Sequence, residues 1–185
     1  MSKIDLNNIS HSYNPNDPNP IYALNPFSMT WENGKRYAIL GPSGCGKTTM
    51  LNIVSGLVRP SAGNILFDNK DVTDLKTESR NIAQVFQFPV IYNTMTVYEN
   101  LAFPLKCRDF LKDKIDERVK SVADTLNLQS FLNSPARKLT ADQKQLISLG
   151  RGLVREDVAA VLMDEPLTVI DPDLKFKLRR KLKEI

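Results

Sequence analysis

Along residues 3–13 apolar and polar positions alternate, with Ile4, Leu6 and Ile9 among the apolar ones, and a period of two predicts a strand. The run 14–20, Asn-Pro-Asn-Asp-Pro-Asn-Pro, is turn chemistry and predicts a loop. Ile21–Trp31 reads as a second strand interrupted by Pro26, and Asn33-Gly34 marks a hairpin-like turn. Arg36–Leu40 predicts a short buried strand that runs into a glycine-rich loop, and Met50, Leu51, Ile53, Val54 and Leu57 predict the helix behind it. Gly63–Phe67 and Ile82–Phe86 are further strands in this reading. From Met95 to Arg155 the pattern turns helical: Leu111, Ile115, Val119, Val122 and Leu126 are spaced 4, 4, 3 and 4, one face of a helix. A second helix is expected to start at Ala141 and to carry Leu146, Leu149 and Leu153. Ala159–Met163 is wholly apolar, the mark of a central parallel strand buried on both faces. Leu174, Leu178, Leu182 and Ile185 predict a last amphipathic helix that is still running where the chain stops.

A chain of 185 residues fits one domain with a real core. The net charge of +4 is a mild basic excess, and six of the basic residues crowd into Lys175–Lys183. With Asp171, Asp173 and Glu184 close by, that crowd is a solvated helix face rather than a nucleic-acid patch, so no nucleic-acid partner is expected. Cys45 and Cys107 form no disulfide framework, and the strand-like, early-charged start is not a secretory signal. No apolar run reaches the roughly 18–20 residues of a membrane span. These features predict a soluble chain of a reducing compartment, joined to any membrane through partner proteins.

Gly41-Pro42-Ser43-Gly44-Cys45-Gly46-Lys47-Thr48, followed by Thr49, fits the phosphate-loop pattern of glycine, four residues, glycine, lysine and a hydroxyl. The glycines let backbone N–H groups turn toward phosphate oxygens, and the following helix adds its positive end. Lys47 is expected to reach the β and γ phosphates of ATP, and the Thr48 hydroxyl to ligate Mg²⁺. The second motif is the apolar run 159–163 ending in Asp164-Glu165, which places two carboxylates at the C-terminal edge of a sheet, where open α/β sheets bind ligands. Asp164 suits a water-mediated contact to magnesium, and Glu165 suits a base or orienter for the water that attacks the γ-phosphate.

These motifs and the residues between them resemble the ATPase subunits of ABC transporters over the whole chain. The resemblance implies a three-layer α/β phosphate-loop core (1–87 and 156–185), an antiparallel β region at its start, and an inserted helical subdomain near 88–155. RNIAQVFQ at 80–87 is similar to the strand leading into the family's Q-loop glutamine, here Gln87, which the resemblance gives a magnesium contact and a role in sensing the transmembrane partner. MTVYENLAFPLK at 95–106 resembles the opening of the helical subdomain in importers of sugars, polyols and glycerol phosphates. Tyr13 sits where the family places an aromatic against adenine, although by itself it is a strand-end tyrosine. Leu139-Thr140-Ala141-Asp142-Gln143 aligns with the family's LSGGQ signature, which contacts the γ-phosphate held by the opposite subunit. Thr140 keeps a hydroxyl and is a candidate helix cap, but Ala141 and Asp142 stand where the family has glycines, and Asp142 brings negative charge toward an anion. Asp171 falls in the acidic place of the D-loop, 168–171.

The family's switch histidine would follow one more strand, whereas the one histidine here is His11, so the chain is expected to be a truncated form. The implied partners are transmembrane permease subunits and a second ATPase subunit, on the cytoplasmic face of the inner membrane. The odd signature leaves two arrangements open, a heterodimer whose partner carries an intact signature or a homodimer of slow turnover. A soluble non-transport ABC ATPase and a nucleotide-binding regulator without efficient hydrolysis stand as alternatives.

Overall fold

The computed structural model describes residues 1–168 and 170–182, and divides into two compact units that are taken separately below. One unit comprises Met1–Ala83 with Asp157–Leu162; the other comprises Gln84–Glu156 with the chain from Met163 onward.

The first unit is built on a four-stranded antiparallel sheet in the order β2-β1-β3-β4, from β1 (Ile4–Ser12), β2 (Tyr22–Trp31), β3 (Ala62–Phe67) and β4 (Lys70–Asp71). Its buried positions run Ile4, Leu6 and then Ile9, a change of parity that strict alternation does not allow. A bulge explains it. Leu6 pairs with Met29 and Ile9 with Phe27, so β1 advances three residues while β2 advances two, and Asn8 takes a left-handed φ of 49°. Helix α1 (Lys47–Ser55) contributes Met50, Leu51, Ile53 and Val54 to a core shared with Trp31, Ile65, Phe67, Val72 and Leu162. Between β3 and β4, Asp68 and Asn69 both have positive φ, the mirror-type turn that lets two strands fold back tightly; the sequence reading had missed this hairpin.

Four expectations are corrected here. Residues 36–40 form no strand: Leu40 is 91% exposed and only Ile39 is partly buried against the core. A short strand takes its hydrogen bonds from neighbours, and among the described residues the large sheet ends at β2 while β5 (Ile82–Val85) and β6 (Ala160–Met163) pair with each other. Apolar character alone could not supply that missing edge. For the same reason the turn at Asn33-Gly34 opens no hairpin. Leu57 lies beyond α1, which Gly56 ends in a left-handed cap, and is exposed. Strands β5 and β6 run parallel, as Ala159 N to Asn81 O (2.8 Å) and Asp164 N to Val85 O (2.9 Å) require, but β6 is only half-buried apart from Leu162. A two-stranded sheet leaves open flanks, whereas full burial needs neighbours on both sides.

The second unit is helical, with α2 (Val97–Lys106), α3 (Lys112–Thr125), α4 (Ala141–Leu153) and α5 (Pro172–Leu182). The predicted stripe on α3 is buried from Ile115 through Leu126, but Leu111 is the exposed residue before the helix. At Gly150 a side chain would come within 2.6 Å of Leu101 Cδ2 and 3.1 Å of Leu126 Cδ1, so glycine lets α4 lie close to its neighbours. Arg118 of α3 closes the far end of α4, donating to Val154 O at 3.2 Å and Leu153 O at 3.1 Å. Leu178 of α5 is buried in the same core. Val169 of the expected D-loop, Ile185, and the side chains of Leu174 and Leu182 from the expected last stripe, lie outside the described residues. Among the described residues no helix is long and apolar enough to cross a membrane.

Candidate nucleotide-binding site

The loop Gly41–Gly46 leads into α1. Gly44 and Gly46 have φ of 81° and 89°, a conformation that side-chain-bearing residues rarely adopt. At Gly46, the residue before the helix, a Cβ would also meet Ala23 O at 2.4 Å and Leu24 Cδ2 at 2.6 Å, so both backbone and space demand glycine there. The Lys47 ammonium folds back over the loop, donating to Gly41 O at 2.9 Å and Pro42 O at 2.8 Å. The first turn of α1 is Lys47-Thr48-Thr49-Met50, with no carboxylate to offset the helix's positive end. Pro42, Ser43 and Cys45 are exposed in the loop, and the Thr48 residue is exposed at its end.

At the other end of α1, buried Arg80 donates to Ile53 O at 2.7 Å and Val54 O at 3.1 Å. Its guanidinium therefore sits on the negative end of the helix; burial lowers its pKa from the ordinary arginine value, opposed by Asp74 and Asp71. An ammonium lying over the loop, glycines in a backbone that side chains could not follow and a positive helix end together suit an anion carrying several charges. Among the described residues no group of three acids, histidines or cysteines could hold a metal ion, and the one hydroxyl at the exposed start of α1 is that of Thr48.

Tyr13 is 62% exposed and its hydroxyl lies 3.1 Å from Thr49 Oγ1 on the buried side of α1. Its ring stands edge-on to His11, with centroids 4.6 Å apart. His11 is buried, and its Nδ1 lies 3.4 Å from Ser61 Oγ. The ring expected to meet a base is thus oriented from behind while its open side remains accessible.

In the second unit Asp164 follows β6, buried, with its N–H on Val85 O. Glu165 is exposed and left-handed, φ 44°, a strained geometry for a residue with a side chain. Thr168 holds that turn: its hydroxyl donates to Glu165 O at 3.0 Å and reaches Glu165 Oε2 at 3.2 Å, and its N–H bonds Glu165 O at 3.2 Å. Gln87 is exposed just past β5, between Phe86 and Phe88, whose rings stack at 6.0 Å.

The signature segment opens α4 with a reciprocal cap. Gln143 N donates to Thr140 Oγ1 at 3.3 Å, and Thr140 N donates to Gln143 Oε1 at 3.0 Å. Ala141 is exposed, and Asp142 is half-buried in the first turn, where a carboxylate stabilises the helix but opposes an approaching anion. Asp171 is exposed at the start of α5, its carbonyl accepting from Lys175 N at 2.8 Å.

The first unit thus gathers Tyr13, the loop, Lys47, Thr48 and Thr49; the second gathers Gln87, the acids and the start of α4. Sequence reasoning missed Arg80, and also Gln145, which is buried on α4 and donates to Phe86 O at 3.1 Å and Pro166 O at 2.9 Å. The signal for Gln145 was a polar residue one turn ahead of Leu149 on the apolar stripe of α4.

Residues 24–168 match the sequence profile described as "ABC transporter". The chain is 42% identical over 171 residues to the trehalose/maltose import ATP-binding protein MalK of Thermococcus litoralis, covering 89% of this chain and 46% of that protein. It is 41% identical over 162 residues to the sn-glycerol-3-phosphate import ATP-binding protein UgpC of Pectobacterium atrosepticum, covering 88% and 45%. The chain spans about half the length of the curated relatives it matches. A solved dimeric ATP-binding cassette in a post-hydrolysis state, bound to ADP and Pi, superposes with a TM-score of 0.85 at 27% identity, covering 98% of this chain and 82% of that one. The cbiO1 protein of Clostridium perfringens, part of an ABC transporter complex, superposes with a TM-score of 0.81 at 26% identity, covering 98% and 72%.

Proposed function

Because the chain belongs to the ABC transporter family of ATP-binding proteins, we propose that it is the ATP-binding and ATP-hydrolysing part of a transporter that imports a sugar, polyol or glycerol-type solute. The observation that carries the reading is the Lys47 ammonium lying over a loop whose Gly46 admits no side chain. In this reading the loop amides and Lys47 hold the phosphates, and Tyr13 stacks on the adenine. Thr48 as a ligand, Asp164 through water and Gln87 would hold the magnesium bound with ATP, which would supply charge neutralisation at the transferring phosphoryl group. Glu165 orients the attacking water or takes its proton.

Two such chains would enclose two nucleotides, each loop facing the other chain's Thr140–Gln143, with Asp171 at the shared boundary. Closure on ATP and reopening after hydrolysis would do work on permease subunits, which hold the protein at the cytoplasmic face of the membrane. The importer class is supported by the segment 95–106 and by the names of the relatives above.

A second arrangement is favoured by one specific observation, the half-buried carboxylate of Asp142 in the first turn of α4. It makes the site completed by this signature weak, so the chain either pairs with a subunit of intact signature or turns over slowly. Phosphate release by the full-length protein tests the main reading. Glu165→Gln is expected to lower turnover at least about 100-fold while ATP still binds. Unchanged turnover would contradict it.

A further inference from the structure

We propose that Gln145 is a positioning residue for hydrolysis, through which the signature helix α4 sets the backbone on which Gln87 and Glu165 stand. The inference rests on the reading that those two residues serve the reaction. The side chain of Gln145 is fully buried, and its Nε2 divides its two protons between Phe86 O at 3.1 Å and Pro166 O at 2.9 Å. Phe86 immediately precedes Gln87, and Pro166 immediately follows Glu165. One amide thus joins the two backbone segments that carry the proposed water- and magnesium-handling groups.

A second grip lies one turn along the same face. Ser148 Oγ accepts from Val90 N at 3.1 Å, so α4 holds the chain on both sides of Gln87, at 86 and at 90. Between these anchors Gln87 is exposed and keeps its own side chain for other partners.

The choice of glutamine supports a role beyond filling space. Its Oε1 has no hydrogen-bond partner among the described residues, although it is buried. An unpartnered buried carbonyl is unfavourable, and leucine or methionine would fill the site without it. What an apolar residue could not do is donate to two carbonyls at once. The same end of α4 carries Thr140–Gln143, so any shift of this end of the helix must carry Phe86 and Pro166 with it or break both bonds.

The test uses the full-length protein in its assembled form. Gln145→Met, similar in length and without a donor, is expected to lower kcat about tenfold. Affinity for Mg-ATP should stay within about twofold, because Gln145 takes no part in the phosphate loop. Gln145→Glu is expected to lower kcat further, since a carboxylate would face two carbonyl oxygens. In a Gln87→Ala background the effect of Gln145→Met should shrink, because Gln145 acts through the segment that Gln87 occupies.

An unchanged kcat for Gln145→Met, or the same fold-loss in both backgrounds, overturns the inference. Should Gln145→Met not fold, Ser148→Ala is read in its place: a loss of kcat that shrinks with Gln87→Ala supports the proposal, and no loss overturns it. If Glu165→Gln itself leaves turnover untouched, the reading of the site falls and this inference with it; if Glu165→Gln abolishes turnover while Gln145→Met changes nothing, the inference alone falls.

Discussion

The hydroxyl of Tyr13 lies 3.1 Å from Thr49 Oγ1, so the ring proposed to meet the base is fastened to the helix proposed to hold the phosphates. Base–aromatic stacking contributes about 1–3 kcal/mol. Tyr13→Ala is therefore expected to weaken ATP binding about tenfold or more while leaving Mg-tripolyphosphate binding unchanged. His11→Ala, which removes the edge-on support behind the ring, should shift the same ratio in the same direction by less. Calorimetry with both ligands checks this, and equal losses for the two would remove the base contact.

Asp142 sets stability against turnover. As a carboxylate in the first turn of α4 it favours the helix; in the proposed dimer, as a charge near a second subunit's phosphate, it would oppose closure. Asp142→Gly is expected to lower unfolding stability by about 1 kcal/mol and to raise turnover severalfold. Denaturant melts and phosphate-release rates on the same full-length variant give both signs. Unchanged turnover would show that Asp142 faces away from the nucleotide.

Tyr98 of α2 donates its hydroxyl hydrogen bond to Asp116 of α3, and that bond first, then burial and the Asp116 charge, push its pKa up to about 12 from 10.0. A folded-state pKa raised above the unfolded one means the contact stabilises the fold fully below pH 10.0 and is lost as pH rises through about 12. Tyr98→Phe should cost about 1 kcal/mol at neutral pH. Absorbance titration should show a tyrosinate component near pH 12 in the parent that Tyr98→Phe lacks. Its persistence in the variant would sink the assignment.

The parts of the fold that were legible in the sequence are those fixed by local chemistry. Gly44 and Gly46 announce positive φ, and Thr140 with Gln143 three residues on announces the start of α4, where the cap is found. What was illegible depends on neighbours. Arg36–Leu40 looks like a buried strand, yet whether it becomes one depends on a sheet edge that its own residues do not encode. Ile9 is buried out of phase because Asn8 bulges, and an asparagine carries only a weak sign of that. Gln145 and Arg80 have backbone carbonyls as partners, and no side-chain pattern reveals those. For the candidate site, the residue types were evident, but the grip of α4 on the backbone beside Gln87 and Glu165 was not.

Binding of Mg-ATP to the full-length protein and to its Lys47→Ala variant, measured by calorimetry, tests the central claim most directly. The account predicts magnesium-dependent binding that Lys47→Ala weakens at least about 100-fold, because the ammonium now over Gly41 and Pro42 is the loop's one full positive charge. Equal affinity for the two proteins, or no magnesium-dependent binding by the parent, would contradict it.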